Sequence, residues 1–269
     1  MHTQDELYAN KIFFNAALPL IKVIANDVPS LKKQFEKVNA VIQVSAKDPD
    51  AEGGKTGMHY LVNGPEDFQV VLNKTAENPD VELEFKSVEA MNAFFKGKIG
   101  PATLPKMKGV ISKFGTFKAF LMTLLKMANV LGADKAPETE DEQRLMVKCM
   151  FYLLTSGISQ LNKMGHEEIH EWTSKSPDRV YAIAVDNHPE VSAYIRIKAG
   201  KSRAGRGEYK RAMPFFTLRF DSFKSALGTL LGTDDMLEAV KAGRIVMDGA
   251  PEFGGQFGTF MLAVGDLAK

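Results

Sequence analysis

Val81-Glu82-Leu83-Glu84-Phe85-Lys86-Ser87 and, 135 positions later, Phe216-Thr217-Leu218-Arg219-Phe220-Asp221-Ser222 carry the same pattern. In each, apolar residues alternate with others up to a phenylalanine, as in a strand with one face buried. A helix-like stretch then follows. Other landmarks repeat in the same order. Lys106-Met107-Lys108-Gly109 parallels Val246-Met247-Asp248-Gly249, and Leu61-Val62-Asn63-Gly64 parallels Ile197-Lys198-Ala199-Gly200. Order and spacing together point to an internal duplication.

The stretch from Gly132 to Glu142 separates the copies. It is polar, acidic and interrupted by Gly132 and Pro137, as a linker running into helix-capping residues is. The expected domains are therefore residues 1–133 and 138–269. Each begins with a long helix, over 7–26 and 141–164, the first kinked at Pro19. Strands are expected over 38–45, 58–62, 68–74 and 81–85, and over 180–185, 193–198, 207–212 and 215–220. Short helices follow over 88–95 and 223–231. Each copy closes with an apolar helix, marked by Phe117, Phe120, Leu121 and Leu124 in the first and by Phe253, Phe257, Phe260 and Met261 in the second. Strands bounded by helices at both ends predict an α+β fold, with an antiparallel-type sheet and helices on one face.

Composition restricts the function classes. The 269 residues include 45% hydrophobic and 25% charged residues, the profile of a globular chain. With a formal net charge of +1, no global field draws the protein to nucleic acid. The single cysteine, Cys149, lies in an apolar run and reads as a buried, inert thiol. Asp5 and Glu6 stand where a signal peptide would be basic, and no stretch reads as a membrane span, so a cytoplasmic location is expected.

The element order resembles the sterol carrier protein 2 (SCP2) family. The residues that carry the resemblance are Phe85-Lys86-Ser87, Gly97 and Lys106-Met107-Lys108-Gly109 in the first copy. In the second they are Phe220-Asp221-Ser222, Ala242-Gly243-Arg244-Ile245 and Met247-Asp248-Gly249. The resemblance covers most of both halves. It implies two tandem SCP2-like domains, each a curved, mainly antiparallel sheet covered by helices. It further implies an apolar tunnel between sheet and helices that accepts a sterol, fatty acid or acyl-CoA, for binding or transfer and not for catalysis, with no cofactor.

The 18 Phe and 13 Met agree with an adaptable apolar pocket, although such residues also pack ordinary cores. The candidate ligand-binding residues in the first copy are Met91, Phe94, Phe95, Leu104, Met107, Phe117, Phe120 and Leu121. In the second they are Phe223, Leu227, Leu230, Met236, Phe253, Phe257, Phe260 and Met261. Gly228, Gly232, Gly254, Gly255 and Gly258 in the second copy point either to close approach of backbone to a ligand or to the other domain, or to two pockets that differ or of which one alone is open.

Rival signals are weaker. His166-Glu167-Glu168-Ile169-His170 has the H-E-x-x-H pattern of a zinc hydrolase, but Thr173 and Ser176 break the extended motif. Gly54-Lys55-Thr56 and Gly200-Lys201-Ser202 lack the leading glycine of a phosphate loop. Lys198, Lys201, Arg203, Arg206, Lys210 and Arg211 read as a solvated charged hairpin, or as a contact for anionic lipid headgroups or a CoA phosphate. A third reading is an interaction module whose cores are closed.

Overall fold

Phe85 and Phe220 each end a strand that runs parallel to the first strand of its own sheet. The computed structural model describes residues 2–269. The chain divides into two compact units, one of the residues up to Asn129 with Leu267–Lys269 and one of Val130–Asp266.

In the first unit, helix α1 (Gln4–Ile12) passes through a wide π-turn (Phe13–Ala17) into α2 (Leu20–Asp27), and α3 (Pro29–Phe35) follows. The π-turn sits where Pro19 is expected to kink the helix: proline has no N–H, and its ring crowds the carbonyl four residues back. The Leu18 N–H accordingly donates to the Phe13 carbonyl at 2.9 Å. Five strands come next: β1 (Asn39–Lys47), β2 (Lys55–Asn63), β3 (Asp67–Val71), β4 (Val81–Phe85) and, after α4 (Val88–Phe95), β5 (Lys106–Lys108). Helix α5 (Phe114–Leu131) ends the unit. The sheet order is β3-β2-β1-β4-β5, with β1 and β4 parallel and the other pairs antiparallel.

The second unit repeats the plan. Helices α6 (Glu140–Lys163) and α7 (Glu167–Lys175) precede β6 (Arg179–Val185), β7 (Ala193–Lys198), β8 (Lys201–Arg206) and β9 (Phe216–Phe220). Helices α8 (Phe223–Leu230) and α9 (Met236–Lys241), strand β10 (Ile245–Gly249) and α10 (Gly254–Ala268) follow. The order β10-β9-β6-β7-β8 is that of the first sheet, again with one parallel pair, β6 with β9. Both sheets are thus mixed.

The landmarks acquire causes. Ser87 and Ser222 are N-caps in nearly the same extended conformation, and their hydroxyls accept from the N–H of Ala90 and of Ser225, each at 3.2 Å. Gly109 and Gly249 both have positive φ, at 86° and 88°. A Cβ at Gly109 would stand 2.4 Å from the Asp80 carbonyl oxygen, and one at Gly249 would stand 2.3 Å from that of Phe215. Only glycine fits either place.

Period two sorts the sheet faces. In the first unit Ile42, Val44, Tyr60, Leu83 and Phe85 are buried on one face. Tyr60 reaches the helical layer, donating to the Leu18 carbonyl at 2.8 Å and lying 5.9 Å from the Phe120 ring. The opposite face is polar yet covered. Glu82 accepts from Gln43, Ser45 and Lys55 at 2.8, 2.7 and 2.8 Å, and Gln43 in turn accepts from the Ala76 N–H. The segment between β3 and β4 thereby closes over charged groups that are paired, as burial requires.

Several expectations are corrected. The third strand of the second copy is expected over 207–212, but the strand at that point in the order is Lys201–Arg206, immediately after a tight turn at Gly200. The apolar landmarks before Gly109 and Gly249 prove to be edge strands. The sequence reading allows no stretch apolar enough to span a membrane. Two helical stretches, Gln4–Asp27 and Phe114–Leu131, do pass by length and composition. The first is 83% buried within the protein and the second only 44%.

Candidate functional site

A cleft of about 640 Å³ opens in the second unit. One wall is α7 and the turn after it, which supply Trp172, Lys175 and Ser176; the other is the start of α10, with Phe253 just before it and Phe260 within it. The floor is aromatic. Trp172 lies 5.0 Å from the Phe260 ring and 4.9 Å from Tyr181, and Phe253 lies 5.2 Å from Phe215. Gly254 lets α10 begin close to the sheet: a Cβ there would meet the Met247 sulfur at 2.7 Å and the Phe216 ring at 3.3 Å. Gly255 and Gly258 face open space and impose no such approach.

Arg179 is the charge at the floor. It begins β6, and alternation places it on the same face as Tyr181, Ile183 and Val185, which are buried beneath the helices. Its guanidinium carbon lies 3.9 Å from the centre of the Phe215 ring and 5.0 Å from that of Phe253. Stacking on two rings holds it without quenching its charge. Arg179 makes no ion pair among the described residues. On the rim, by contrast, Glu171 is paired with Lys175.

Beneath the cleft, the Tyr181 hydroxyl is buried and has no hydrogen-bond partner among the described residues. Burial pushes its phenol pKa up, while the Arg179 guanidinium, the Trp172 indole and the Ser176 hydroxyl pull it the other way. An orphaned buried hydroxyl costs about 1–3 kcal/mol, which an acceptor reaching the cleft floor would recover. The Arg179 cation and the Tyr181 O–H thus stand beside aromatic rings in a cleft whose lining also includes Glu168, Glu171, Lys175, Ser176, Gln256 and Thr259, and a cation and a donor next to rings can hold the anionic end of a partly apolar molecule.

The expected ligand-binding residues fall into four groups. Phe253 and Phe260 line the cleft. Met91, Phe117, Phe120, Phe223, Leu227 and Phe257 are buried in the two cores. Phe94, Phe95, Leu121, Leu230 and Met261 are half-buried, with Phe94 and Phe95 packed at 5.3 and 5.8 Å around Phe85. Leu104, Met107 and Met236 are exposed. Sequence reasoning missed Trp172, Arg179, Tyr181 and Phe215 as site residues. The legible trace was an arginine two positions before a tyrosine in a strand, hence on the same face.

The rival motifs serve architecture. His166 stands just before α7, and His170 is exposed with Nδ1 3.1 Å from Asn162 Oδ1. Asn162 also donates to the Gly200 carbonyl at 3.0 Å, so the group ties α6 and α7 to the β7–β8 turn. Among the described residues, the groupings of three metal-ligand side chains are His2 with Asp48 and Asp50, and His2 with Glu6 and Glu89; His166 and His170 are in neither. Gly54 and Gly200 both lie in tight turns that lead into strands, not helices.

No family model matches the chain. No curated protein matches it. Among solved structures, a conserved hypothetical protein from Thermus thermophilus, described as "possibly sterol carrier protein", is similar at 17% identity. The match covers 44% of this chain and 90% of that chain, with a TM-score of 0.29.

Proposed function

We propose that this chain binds a lipid-like amphiphile, such as a fatty acid or another long apolar molecule with an anionic end, and does not transform it. The observation that supports the reading is Arg179, unpaired and stacked on Phe215 at the floor of an aromatic cleft, beside a buried Tyr181 hydroxyl that lacks an acceptor. The apolar part of the ligand would lie along Trp172, Phe253 and Phe260, gaining about 0.8 kcal/mol per buried CH₂. The anionic end would meet Arg179 and Tyr181. The cleft volume falls within the range of roughly 300–1,000 Å³ typical of small-molecule sites.

Denaturing extraction of freshly purified protein, followed by mass spectrometry, tests this reading. It is expected to release an amphiphile that is absent from an Arg179→Met preparation. Extracts with no bound lipid, combined with failure to take up a fluorescent fatty acid, would overturn it.

A further inference from the structure

Between Glu89 and Asp134 the chain has no acidic residue and seven lysines. Within that stretch, the loop from α4 to α5 and the first turn of α5 expose large apolar side chains among those lysines. Ile111 is 93% exposed, Ile99 67% and Phe114 63%, and Leu104, Met107 and Val110 are exposed beside them. Lys96, Lys98, Lys106, Lys108 and Lys118 have no ion-pair partner among the described residues, while Lys113 meets Asp80 at 3.4 Å. Helix α5 continues the surface. Its inner stripe of Phe117, Phe120, Leu124 and Met127 is buried, whereas Phe114, Lys118, Met122 and Leu125 form an exposed stripe at helical spacing.

We infer that this face of the first unit docks on an anionic lipid bilayer. Apolar side chains this exposed mark an interaction surface. Unpaired lysines around them, with no carboxylate in the stretch, complement a negatively charged membrane, and such residues anchor at the headgroup boundary by insertion plus attraction. The corresponding loop of the second unit, between α8 and α10, differs in charge. There, exposed Met236, Leu237 and Val240 are interleaved with Asp234, Asp235 and Glu238, whose charge a bilayer would repel. The duplication has thus diverged in its surfaces, and the inference does not depend on the cleft of the second unit holding a ligand.

The test is co-flotation of the full chain with vesicles of phosphatidylcholine alone or with phosphatidylserine added, at low and high salt. Binding is expected only with phosphatidylserine and is expected to fall with salt. The Lys106→Glu/Lys108→Glu variant is expected to bind roughly tenfold or more weakly. Ile111→Asp/Phe114→Asp, at positions that contribute little to the core, is expected to bind as weakly, while Arg179→Met binds like the unaltered protein. Equal binding to both vesicle types would overturn the inference, as would none to either. So would tighter binding to a single-stranded oligonucleotide than to vesicles, or sedimentation showing that the Ile111/Phe114 face pairs two copies of the chain.

Discussion

The Arg179 guanidinium carbon lies 3.9 Å from the centre of the Phe215 ring, a cation over an aromatic face. A lysine in its place would be a more strongly hydrated point charge and would lose the planar stack. Arg179→Met keeps much of the apolar volume and removes the charge. It is expected to weaken binding of a long-chain carboxylate by about 2 kcal/mol, the worth of one charge-assisted hydrogen bond. The matching uncharged alcohol should bind both proteins alike. Parallel titrations with the acid and the alcohol check this.

Gly109 and Gly249 are expected to be the most sensitive glycines of their units. Each combines positive φ with a neighbouring carbonyl under 2.5 Å from where a Cβ would stand. Gly109→Ala and Gly249→Ala should each destabilise the protein by about 2 kcal/mol or more. Gly255→Ala, in a helix and facing open space, should be neutral or stabilising by a few tenths to about 1 kcal/mol. Urea unfolding of the three variants separates these outcomes.

Ser87→Ala and Ser222→Ala each remove an N-cap acceptor, and each should cost about 1 kcal/mol. Replacement by Asp, which can cap the same N–H, should restore most of the loss, as measured by the shift in denaturation midpoint.

Acid sensitivity should centre on Glu82. Burial acts to raise its pKa, but Lys55, Ser45 and Gln43 outweigh burial and hold it below the ordinary value of 4.5. A carboxylate with a depressed folded pKa contributes stability that is complete above its unfolded value and is lost as pH falls through the folded one. The protein should therefore lose stability on acidification from about pH 4.5 downward. Lys55→Met should cost about 2 kcal/mol at neutral pH and flatten that acid limb, because the partner that depresses the pKa is gone. Denaturation midpoints across the pH range provide the check.

The duplication was legible because its landmarks answer to local rules. A strand ending in Phe85 or Phe220, a capping serine two residues on and a glycine at 109 or 249 each reflect short-range stereochemistry. The same reasoning misplaced β8. The turn at Ala199-Gly200 is encoded by two positive-φ residues, while the strand after it, Lys-Ser-Arg-Ala-Gly-Arg, has too few apolar residues to show the usual alternation. The apolar stripes were read correctly as helix faces, but a stripe does not say whether it meets core or ligand. Phe257 and Phe260 lie on one helix, and only the second borders the cleft. Arg179 and Trp172 come together through tertiary packing of β6 against α7, which no local pattern encodes.

Trp172 is the only tryptophan in the chain and borders the cleft, so its fluorescence reports directly on that site. The decisive measurement is titration of the protein with a long-chain fatty acid while recording Trp172 emission. The account predicts a saturable change that is strongly weakened in Arg179→Met and unaffected by Ile111→Asp/Phe114→Asp. An emission spectrum unchanged up to the solubility limit of the fatty acid, or a change of equal affinity in Arg179→Met, would contradict it.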